Sequence, residues 1–398
     1  MEKLRIIVGG YIGLYPTGGA TWDYIQYPLG LKMMGHDVYY IEDTLQYPVF
    51  QNEGDVWDDA TGTVSYLKEV MRRFGMDDRW AYRDIASGQS FGMSEHRILE
   101  LCRTADLFIN ISCSTHLRDE YFRIPKRVLI DSDPMFTQVQ YALEMLAGEE
   151  TRDWTTRQMM ENHTHLFTFG ENIGALDCAI PQFGFRWLKT RQPICLDYWD
   201  NQIEGKENAF TSIMNWSGRK KLMFENEEWG QKDVEFEKFK TVPGAVPSVA
   251  FELAVNKPQN KDSHFSASEL ERLGWRILDP QATVATVADY KQFILGSAAE
   301  FGVAKETYVK SNSGWFSCRS ACYLAAGRPV ITQETQWSKF IPTGEGLFSF
   351  TDIDSAVEAI NKVQSDLSFH SRRAREIARE YFDSNIVLAR MLEQLNQD

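Results

Sequence analysis

Apolar and polar positions follow two different periods along the first 45 residues. Residues 4–8 form an apolar run rich in β-branched side chains, and a glycine-rich loop follows them. From Thr21 onward apolar positions recur at helical spacing, and residues 38–41 again form an apolar run. Gly35 stands where the helix would end. The pattern predicts a strand, a helix and a second strand, which is a β-α-β unit.

The same alternation continues to the end of the chain. In the first half, helical spacing recurs at residues 63–74 and 95–104, and strand-like runs occur at 107–111, 127–131 and 166–169. In the second half, strand candidates are residues 210–215, 248–255, 275–278, 329–332 and 347–350. Helix candidates there are residues 266–273, 289–297, 317–326 and 352–363. Strands that alternate with helices predict an α/β protein with mostly parallel sheets.

Chain length and one aperiodic stretch predict the domain organisation. At roughly 150 residues per domain, a chain of 398 residues can form two hydrophobic cores of ordinary size. Pro181 and Pro193 bracket a stretch with little periodicity. We predict two Rossmann-like domains that face a cleft, over residues 1–195 and 196–370, and one helix over residues 371–398 that packs across both.

Charge and hydropathy exclude some classes of protein. A formal net charge of −14 disfavours general nucleic-acid binding, because most of the surface would repel a phosphodiester backbone. No stretch approaches the ~18 consecutive apolar residues of a membrane span, and the chain begins in a strand pattern without the layout of a signal peptide. The six cysteines include no CxxC pair, which favours reduced thiols. We expect a cytoplasmic protein without a transmembrane segment, and its oligomeric state is left open.

The most specific chemistry lies just before residue 317. Ser311, Asn312, Ser313 and Gly314 form a small polar turn ahead of a predicted helix. The first turn of a helix offers unpaired N–H groups and the positive end of the helix dipole, and anions bind at such ends. The sequence therefore predicts an anion site there, with an ordinary capped helix as the alternative.

Both halves of the chain carry motifs of one known class. Residues 325–330 read Ala-Ala-Gly-Arg-Pro-Val, and residues 342–346 read Pro-Thr-Gly-Glu-Gly. Residues 18–42 contain a glycine loop, a helix and a Gly-His-Asp-Val strand start. These segments resemble the donor and acceptor halves of GT-B glycosyltransferases. Further segments similar to bacterial members of this class are residues 130–134, 167–174 and 230–233.

The resemblance implies that a sugar is taken from a nucleoside diphosphate and moved to an acceptor hydroxyl. The co-substrate would be a UDP-, dTDP- or GDP-sugar. No tightly bound cofactor and no obligatory metal is expected, because helix N–H groups and cationic side chains can receive the diphosphate. Lys232, Lys305 and Arg319 would pair with phosphate oxygens, while Trp216 and Trp275 would form a shelf for the nucleobase. The remaining expected donor-side residues are Ser313, Gly314, Trp315 and Ser317; the expected acceptor-side residues are Gly18, Gly19, Thr21 and Asp23.

The group that accepts the proton of the acceptor hydroxyl has several candidates. The first glycine loop contains no histidine, and the paired glutamates of retaining subfamilies are absent before the small-residue helix. The missing glutamates favour an inverting transfer, and the missing histidine means that the base must be sought elsewhere in the chain. Ligands of parallel sheets lie beyond the carboxyl ends of strands, where Asp131 ends the run 127–131 and Asp133 follows it. Asp133 is the leading candidate, with a turn or helix-cap role as its alternative; the further candidates are Asp131, Glu171, His116 and Asp23.

Other classes of function remain as alternatives. A strand, a glycine loop, a helix, a strand and then Glu42 are similar to a dinucleotide-binding motif, although Val8 stands where the first glycine is needed. This is the interpretation as an NAD(P)-dependent oxidoreductase. A sugar-nucleotide epimerase of GT-B shape and a binding protein without turnover are two further alternatives.

Overall fold

The computed structural model describes residues 2–48, 59–147, 156–199, 209–218, 221–258 and 263–397. The first eight strands are β1 (Arg5–Gly9), β2 (Asp37–Glu42), β3 (Trp80–Arg83), β4 (Ser90–Gly92), β5 (Leu107–Ile111), β6 (Lys126–Asp131), β7 (His165–Thr168) and β8 (Trp187–Lys189). They form one sheet in the order β4-β3-β2-β1-β5-β6-β7-β8. Neighbouring strands in this sheet are parallel, except for β3 and β4, which pair antiparallel. The predicted β-α-β unit at the start of the chain is confirmed, because β1 and β2 pair in parallel with Ile6 opposite Val38.

The second half forms its own sheet. Its strands are β9 (Ala209–Asn215), β10 (Leu222–Phe224), β11 (Glu227–Trp229), β12 (Ala250–Asn256), β13 (Trp275–Leu278), β14 (Ala299–Gly302), β15 (Val330–Gln333) and β16 (Leu347–Phe350). Six of them pair in parallel in the order β13-β12-β9-β14-β15-β16, while β10 and β11 form a separate antiparallel hairpin. The α/β class and the parallel sheets predicted from the sequence are confirmed.

Helices connect the strands in both halves. The first half contains α1 (Gly18–Met33), α2 (Thr61–Arg73), α3 (Glu95–Thr104), α4 (Phe136–Ala147) and α5 (Thr156–Asn162). The second contains α6 (Lys232–Phe239), α7 (Val242–Ala245), α8 (Ala267–Arg272), α9 (Pro280–Thr283), α10 (Val287–Leu295), α11 (Glu306–Lys310), α12 (Cys318–Ala325), α13 (Ile353–Ser365), α14 (Leu367–Tyr381) and α15 (Ser384–Gln394). Short 3₁₀ helices cover Tyr121–Arg123, Leu196–Tyr198 and Trp337–Lys339. Across the described ranges, none of the helices is both long enough and apolar enough to cross a bilayer.

The direction of sheet growth reverses at one strand in each sheet. In the first sheet β1 lies between β2 and β5, and in the second sheet β9 lies between β12 and β14. Loops that leave the two neighbouring strands there run to opposite faces and open a crevice at the carboxyl ends. The fold thus provides one crevice per sheet in which a ligand can bind.

The glycine loop after β1 is held by a buried carboxylate at the end of β2. Glu42 accepts hydrogen bonds from the N–H groups of Gly13 at 2.8 Å and Leu14 at 2.6 Å, and from the hydroxyl of Tyr40 at 2.8 Å. Burial raises the pKa of Glu42 to about 7, although these hydrogen bonds from the loop lower it. The role of Glu42 in this structure is to fix the loop.

One hydrophobic cluster joins helices of both halves. Trp22 on α1 lies 4.8 Å from the ring of Trp199, and its indole N–H donates to the carbonyl of Val287 at 3.0 Å. Tyr290 of α10 and Phe382 belong to the same buried cluster. Because Trp22 comes from the first sheet's α1 and Val287 from the second half, this packing holds the two halves against each other.

The end of the chain differs from the prediction of one helix over residues 371–398. Two helices, α14 and α15, are separated at Phe382 and Asp383. The N–H of Ile194 donates to the carbonyl of Phe382 at 2.7 Å, and Asp383 caps α15 through the N–H of Asn385. These competing hydrogen bonds end the first helix. α14 packs on α12, whereas α15 packs on α1, with Leu388 beside Gly30.

Candidate active site

Helix α12, at whose start the sequence predicts an anion site, begins beside the reversal point of the second sheet. Ser317 is its N-cap residue, but the Ser317 side chain makes no capping hydrogen bond. The N–H groups of the first helical turn have no partner within the helix. Gly314 precedes them at φ +75°, and a Cβ there would lie 2.4 Å from the backbone nitrogen of Asn172. Glycine is required at this position, because only it permits the close approach of the two chain segments.

Three cationic side chains converge on the start of α12. Arg319 donates to Glu300 of β14 at 2.5 Å and to the carbonyl of Ile213 at 2.5 Å. Lys305, just after β14, forms an ion pair with Asp133 at 2.7 Å. Lys232 forms no ion pair with any carboxylate in the described part of the chain. Burial lowers the pKa of Lys232 well below its usual value, and Arg319 and Lys305 lower it further.

Two buried polar atoms next to these cations lack hydrogen-bond partners. They are Oε2 of Glu300 and Oγ of Ser320, and both residues are fully buried. An unsatisfied buried polar atom is costly and marks a site that a ligand or water can complete. Together with the ammonium of Lys232, they make the start of α12 a polar site with unused hydrogen-bonding capacity.

Asp23 of α1 belongs to the same electrostatic cluster. Burial raises the pKa of Asp23 to about 7, and the positive charge of Arg319 opposes this rise. Among the residues that the structure describes, none donates a hydrogen bond to its carboxylate, while the side-chain amide of Gln192 donates to its backbone carbonyl. A carboxylate whose pKa lies near neutrality can accept and release a proton under ordinary conditions. Perturbed groups of this kind concentrate at functional sites.

Asp131 and Glu171 are held by other side chains. Asp131, at the end of β6, accepts hydrogen bonds from Thr137 at 2.7 Å and from Gln138 and Thr168 at 3.0 Å. Burial raises the pKa of Asp131, and these hydrogen bonds lower it. Glu171 forms an ion pair with Arg191 at 2.6 Å. Asp131 ties the start of α4 to the sheet, and neither carboxylate is free to take up a proton from an acceptor.

The predicted nucleobase shelf is absent at Trp216 and Trp275. Both indoles are 2% exposed and lie in the core of the second half, packed on the ring of Phe236. Their N–H groups donate to the carbonyls of His264 and Lys240. We correct this prediction: both tryptophans follow or begin buried strands, and apolar burial accounts for them.

Gly18 and Gly19, which were predicted to lie on the acceptor side, pack against the second half of the chain. The N–H of Gly18 donates to the carbonyl of Ala285 at 2.8 Å, and a Cβ on Gly18 would lie 2.3 Å from the carbonyl oxygen of Thr286. Gly19 lies against the ring of Tyr290. Thr21 is fully buried, with its hydroxyl 2.7 Å from that of Tyr66. These three positions are occupied by protein contacts, and of the four predicted acceptor-side residues only Asp23 joins the cation cluster.

The turn before α12 contacts the first half of the chain. The carbonyl of Ser313 accepts from the N–H of Asn172 at 3.1 Å, and the indole N–H of Trp315 donates to the carbonyl of Ser132 at 3.1 Å. The ring of Trp315 stacks on Tyr308 at 4.3 Å. Ser313 and Trp315 therefore join the two halves at the edge of the site.

Two residues of the candidate site, Glu300 and Tyr308, were not predicted from the sequence. Glu300 lies in β14, a strand that was not predicted because its sequence, Ala-Glu-Phe-Gly, contains no β-branched residue and has a charge in the middle. A signal was present, since a single acidic residue inside the apolar stretch 298–304 requires a buried partner. Tyr308 donates its hydroxyl hydrogen bond to Asp133, and nothing in the sequence near Tyr308 indicates this contact.

The fold of the chain is similar to that of known proteins, although its sequence is not. No family model matches the sequence, and no curated protein matches it. Among solved structures, glycosyltransferases match the fold of the chain over nearly its whole length. The chain has the two-domain GT-B fold.

Three solved structures illustrate the GT-B likeness. Anabaena HepE, in complex with UDP and glucose, matches with a TM-score of 0.57 at 12% identity, over 99% of this chain and 100% of that chain. AviGT4, a glycosyltransferase involved in avilamycin A biosynthesis, matches with a TM-score of 0.54 at 11% identity, over 98% and 97%. Sucrose-phosphate synthase from Thermosynechococcus elongatus also matches at 0.54 and 11%, over 100% and 99%. At such identities the likeness concerns the GT-B fold alone.

Proposed function

We propose that this protein is a glycosyltransferase that takes a sugar from a nucleoside diphosphate. The observation that carries the proposal is the amine of Lys232, which has no carboxylate partner in the described chain and lies close enough to Arg319 and Lys305 for both to lower its pKa. The charged form of a partly buried lysine without a carboxylate partner is disfavoured, which is why the pKa of Lys232 is lowered. A diphosphate would supply the missing negative charge and would also accept from the N–H groups at the start of α12.

The GT-B fold supports the same assignment. The cations lie at the carboxyl-end crevice of the second sheet, next to β14, where ligands of open α/β sheets bind. HepE, which shares the fold, is in complex with UDP and glucose. We therefore assign the diphosphate to Lys232, Arg319 and the first turn of α12, with UDP as the first nucleotide to test.

In the proposed reaction Asp23 is the proton acceptor. The acceptor oxygen attacks the anomeric carbon, the bond from that carbon to the diphosphate oxygen breaks, and Asp23 takes the hydroxyl proton. The leaving diphosphate is stabilised by Lys232, Arg319 and the N–H groups of α12. Single displacement of this kind inverts the anomeric configuration. Asp23 replaces Asp133 in this role, because Asp133 already binds Lys305 and Tyr308.

Nucleotide binding tests the proposal directly. Calorimetry with UDP, dTDP, GDP and NAD should give binding with at least one of the diphosphates and none with NAD. Lys232→Met should weaken that binding about tenfold or more, whereas Lys238→Met should leave it unchanged. Lys238 is the matched control, since it lies on the same helix α6 with its side chain 57% exposed. Binding of NAD in place of the diphosphates would reject the assignment.

Product analysis distinguishes transfer from epimerisation. A transferase forms a new glycoside and releases nucleoside diphosphate only when an acceptor is added. A sugar-nucleotide epimerase changes the sugar of a UDP-sugar supplied alone. Observation of the second result would leave the binding site in place but reject glycosyl transfer.

A further inference from the structure

An ion pair between the two halves involves Lys305, a cation beside the proposed diphosphate site. Asp133 follows β6 of the first sheet, and Lys305 follows β14 of the second. Their 2.7 Å ion pair joins residues that are 172 positions apart in the chain. Tyr308 donates a second hydrogen bond to the same oxygen of Asp133. The carboxylate therefore occupies the hydrogen-bonding positions of two donors from the opposite domain.

Aromatic rings hold this ion pair in place. The ammonium of Lys305 lies 4.7 Å from the ring centre of Phe136 and 5.1 Å from that of Tyr308. Trp315 stacks on Tyr308 and donates to the carbonyl of Ser132, the residue before Asp133. The side chains of Lys305 and Asp133 are only 21% and 25% exposed. A charge pair so enclosed is screened less than a surface pair.

The ion pair of Lys305 and Asp133 differs from the neighbouring pair of Arg319 and Glu300 in the domain that supplies the carboxylate. Arg319 is neutralised by Glu300, which belongs to the same sheet. Lys305 is neutralised by Asp133, which the other domain supplies. A carboxylate supplied from across the cleft can leave Lys305 without unfolding either sheet. A phosphate brings more charge and more acceptor oxygens to Lys305 than one carboxylate does.

We propose that Asp133 holds the place of a donor phosphate on Lys305 and is displaced when the nucleotide-sugar binds. The inference rests on the proposed function and adds a regulatory residue to that site. Asp133 lowers the affinity for the donor, because each molecule with the ion pair formed must break it before Lys305 can bind phosphate. Displacement also removes a charged contact between the domains, so donor binding and domain movement are coupled.

Calorimetry with UDP and with inorganic pyrophosphate tests the displacement. Asp133→Asn should bind both anions about three- to tenfold more tightly than the unaltered protein. The matched control is Asp177→Asn, since Asp177 also joins the two halves, through a 2.5 Å ion pair with Lys339. Its affinity for both anions should not change. Unchanged or weaker binding by a folded Asp133→Asn protein overturns the proposal, as does an equal gain in Asp177→Asn.

A double substitution separates displacement from a general loss of negative charge. In a Lys305→Met background, Asp133→Asn should no longer change the affinity, because the cation for which the two anions compete is gone. A gain that persists in that background overturns the proposal. Tyr308→Phe, which removes one donor from Asp133, should give a smaller gain and serves if Asp133→Asn does not fold.

The two anions also distinguish failure of this inference from failure of the proposed function. If pyrophosphate binds more tightly to Asp133→Asn but no nucleoside diphosphate binds to any variant, the displacement stands and the glycosyltransferase assignment fails. If UDP binds to the unaltered protein and Asp133→Asn gains nothing, the assignment stands and the displacement is wrong.

Discussion

Arg319, at the start of α12, is the positive charge that opposes the rise in the pKa of Asp23 on α1. The two residues belong to different domains, and burial nevertheless raises the pKa of Asp23 to about 7. Charged groups of the two domains therefore set the protonation of Asp23 together. A change at either residue should alter the pH dependence of the reaction.

The first prediction concerns the pH dependence of transfer. Asp23 must be ionised to accept a proton, so kcat/KM should fall as the pH drops below about 7, the raised pKa of the free enzyme. Asp23→Asn should reduce transfer about 100-fold or more while UDP affinity remains. Full activity of Asp23→Asn, or a pH profile flat down to pH 5, would count against Asp23 as the base.

The second prediction concerns the buried ion pair of Arg319 and Glu300. Arg319→Met should destabilise the protein by ~3 kcal/mol or more, because it leaves the fully buried carboxylate of Glu300 without its partner. Adding Glu300→Gln should recover part of the loss. Urea unfolding of the three proteins measures both effects. Equal stability of Arg319→Met and the unaltered protein would show that the pair is energetically unimportant.

The third prediction concerns the close approach of the two domains at Gly18. Gly18→Ala should lower the free energy of unfolding by ~2 kcal/mol, because the new Cβ would lie 2.3 Å from the carbonyl oxygen of Thr286. Gly244→Ala is the control, since nothing lies within 4 Å of its added Cβ. Thermal unfolding should show a lower midpoint for the first variant and little change for the second.

Local pattern was enough to predict the α/β class and the first β-α-β unit. The strand at residues 4–8 and the helix after Thr21 follow from apolar spacing, which depends on neighbours in the sequence. The strand β14 was missed because its sequence, Ala-Glu-Phe-Gly, has no β-branched residue and includes a charge. The break at Phe382 was missed for another reason: it depends on hydrogen bonds to Ile194, which is distant in the sequence.

The candidate site was less predictable because its contacts join distant parts of the chain. The residue types of Lys232, Lys305 and Arg319 suggested phosphate binding, and the structure brings these three together. Their carboxylate partners could not be inferred, since the pairing of Lys305 with Asp133 depends on how the two sheets pack. Trp216 and Trp275 show the opposite case: their sequence context fits either a ligand shelf or a core, and only the structure distinguishes the two.

The paired segments at Ile194 and Phe382 have a mechanical consequence. The chain passes between the domains twice there, once before β9 and once between α14 and α15, and backbone hydrogen bonds fasten one passage to the other. Two hydrogen-bonded segments resist translation of one domain relative to the other. They permit rotation about the line along which the two segments lie. We therefore expect the cleft to open by a hinge rotation of one domain relative to the other about this line.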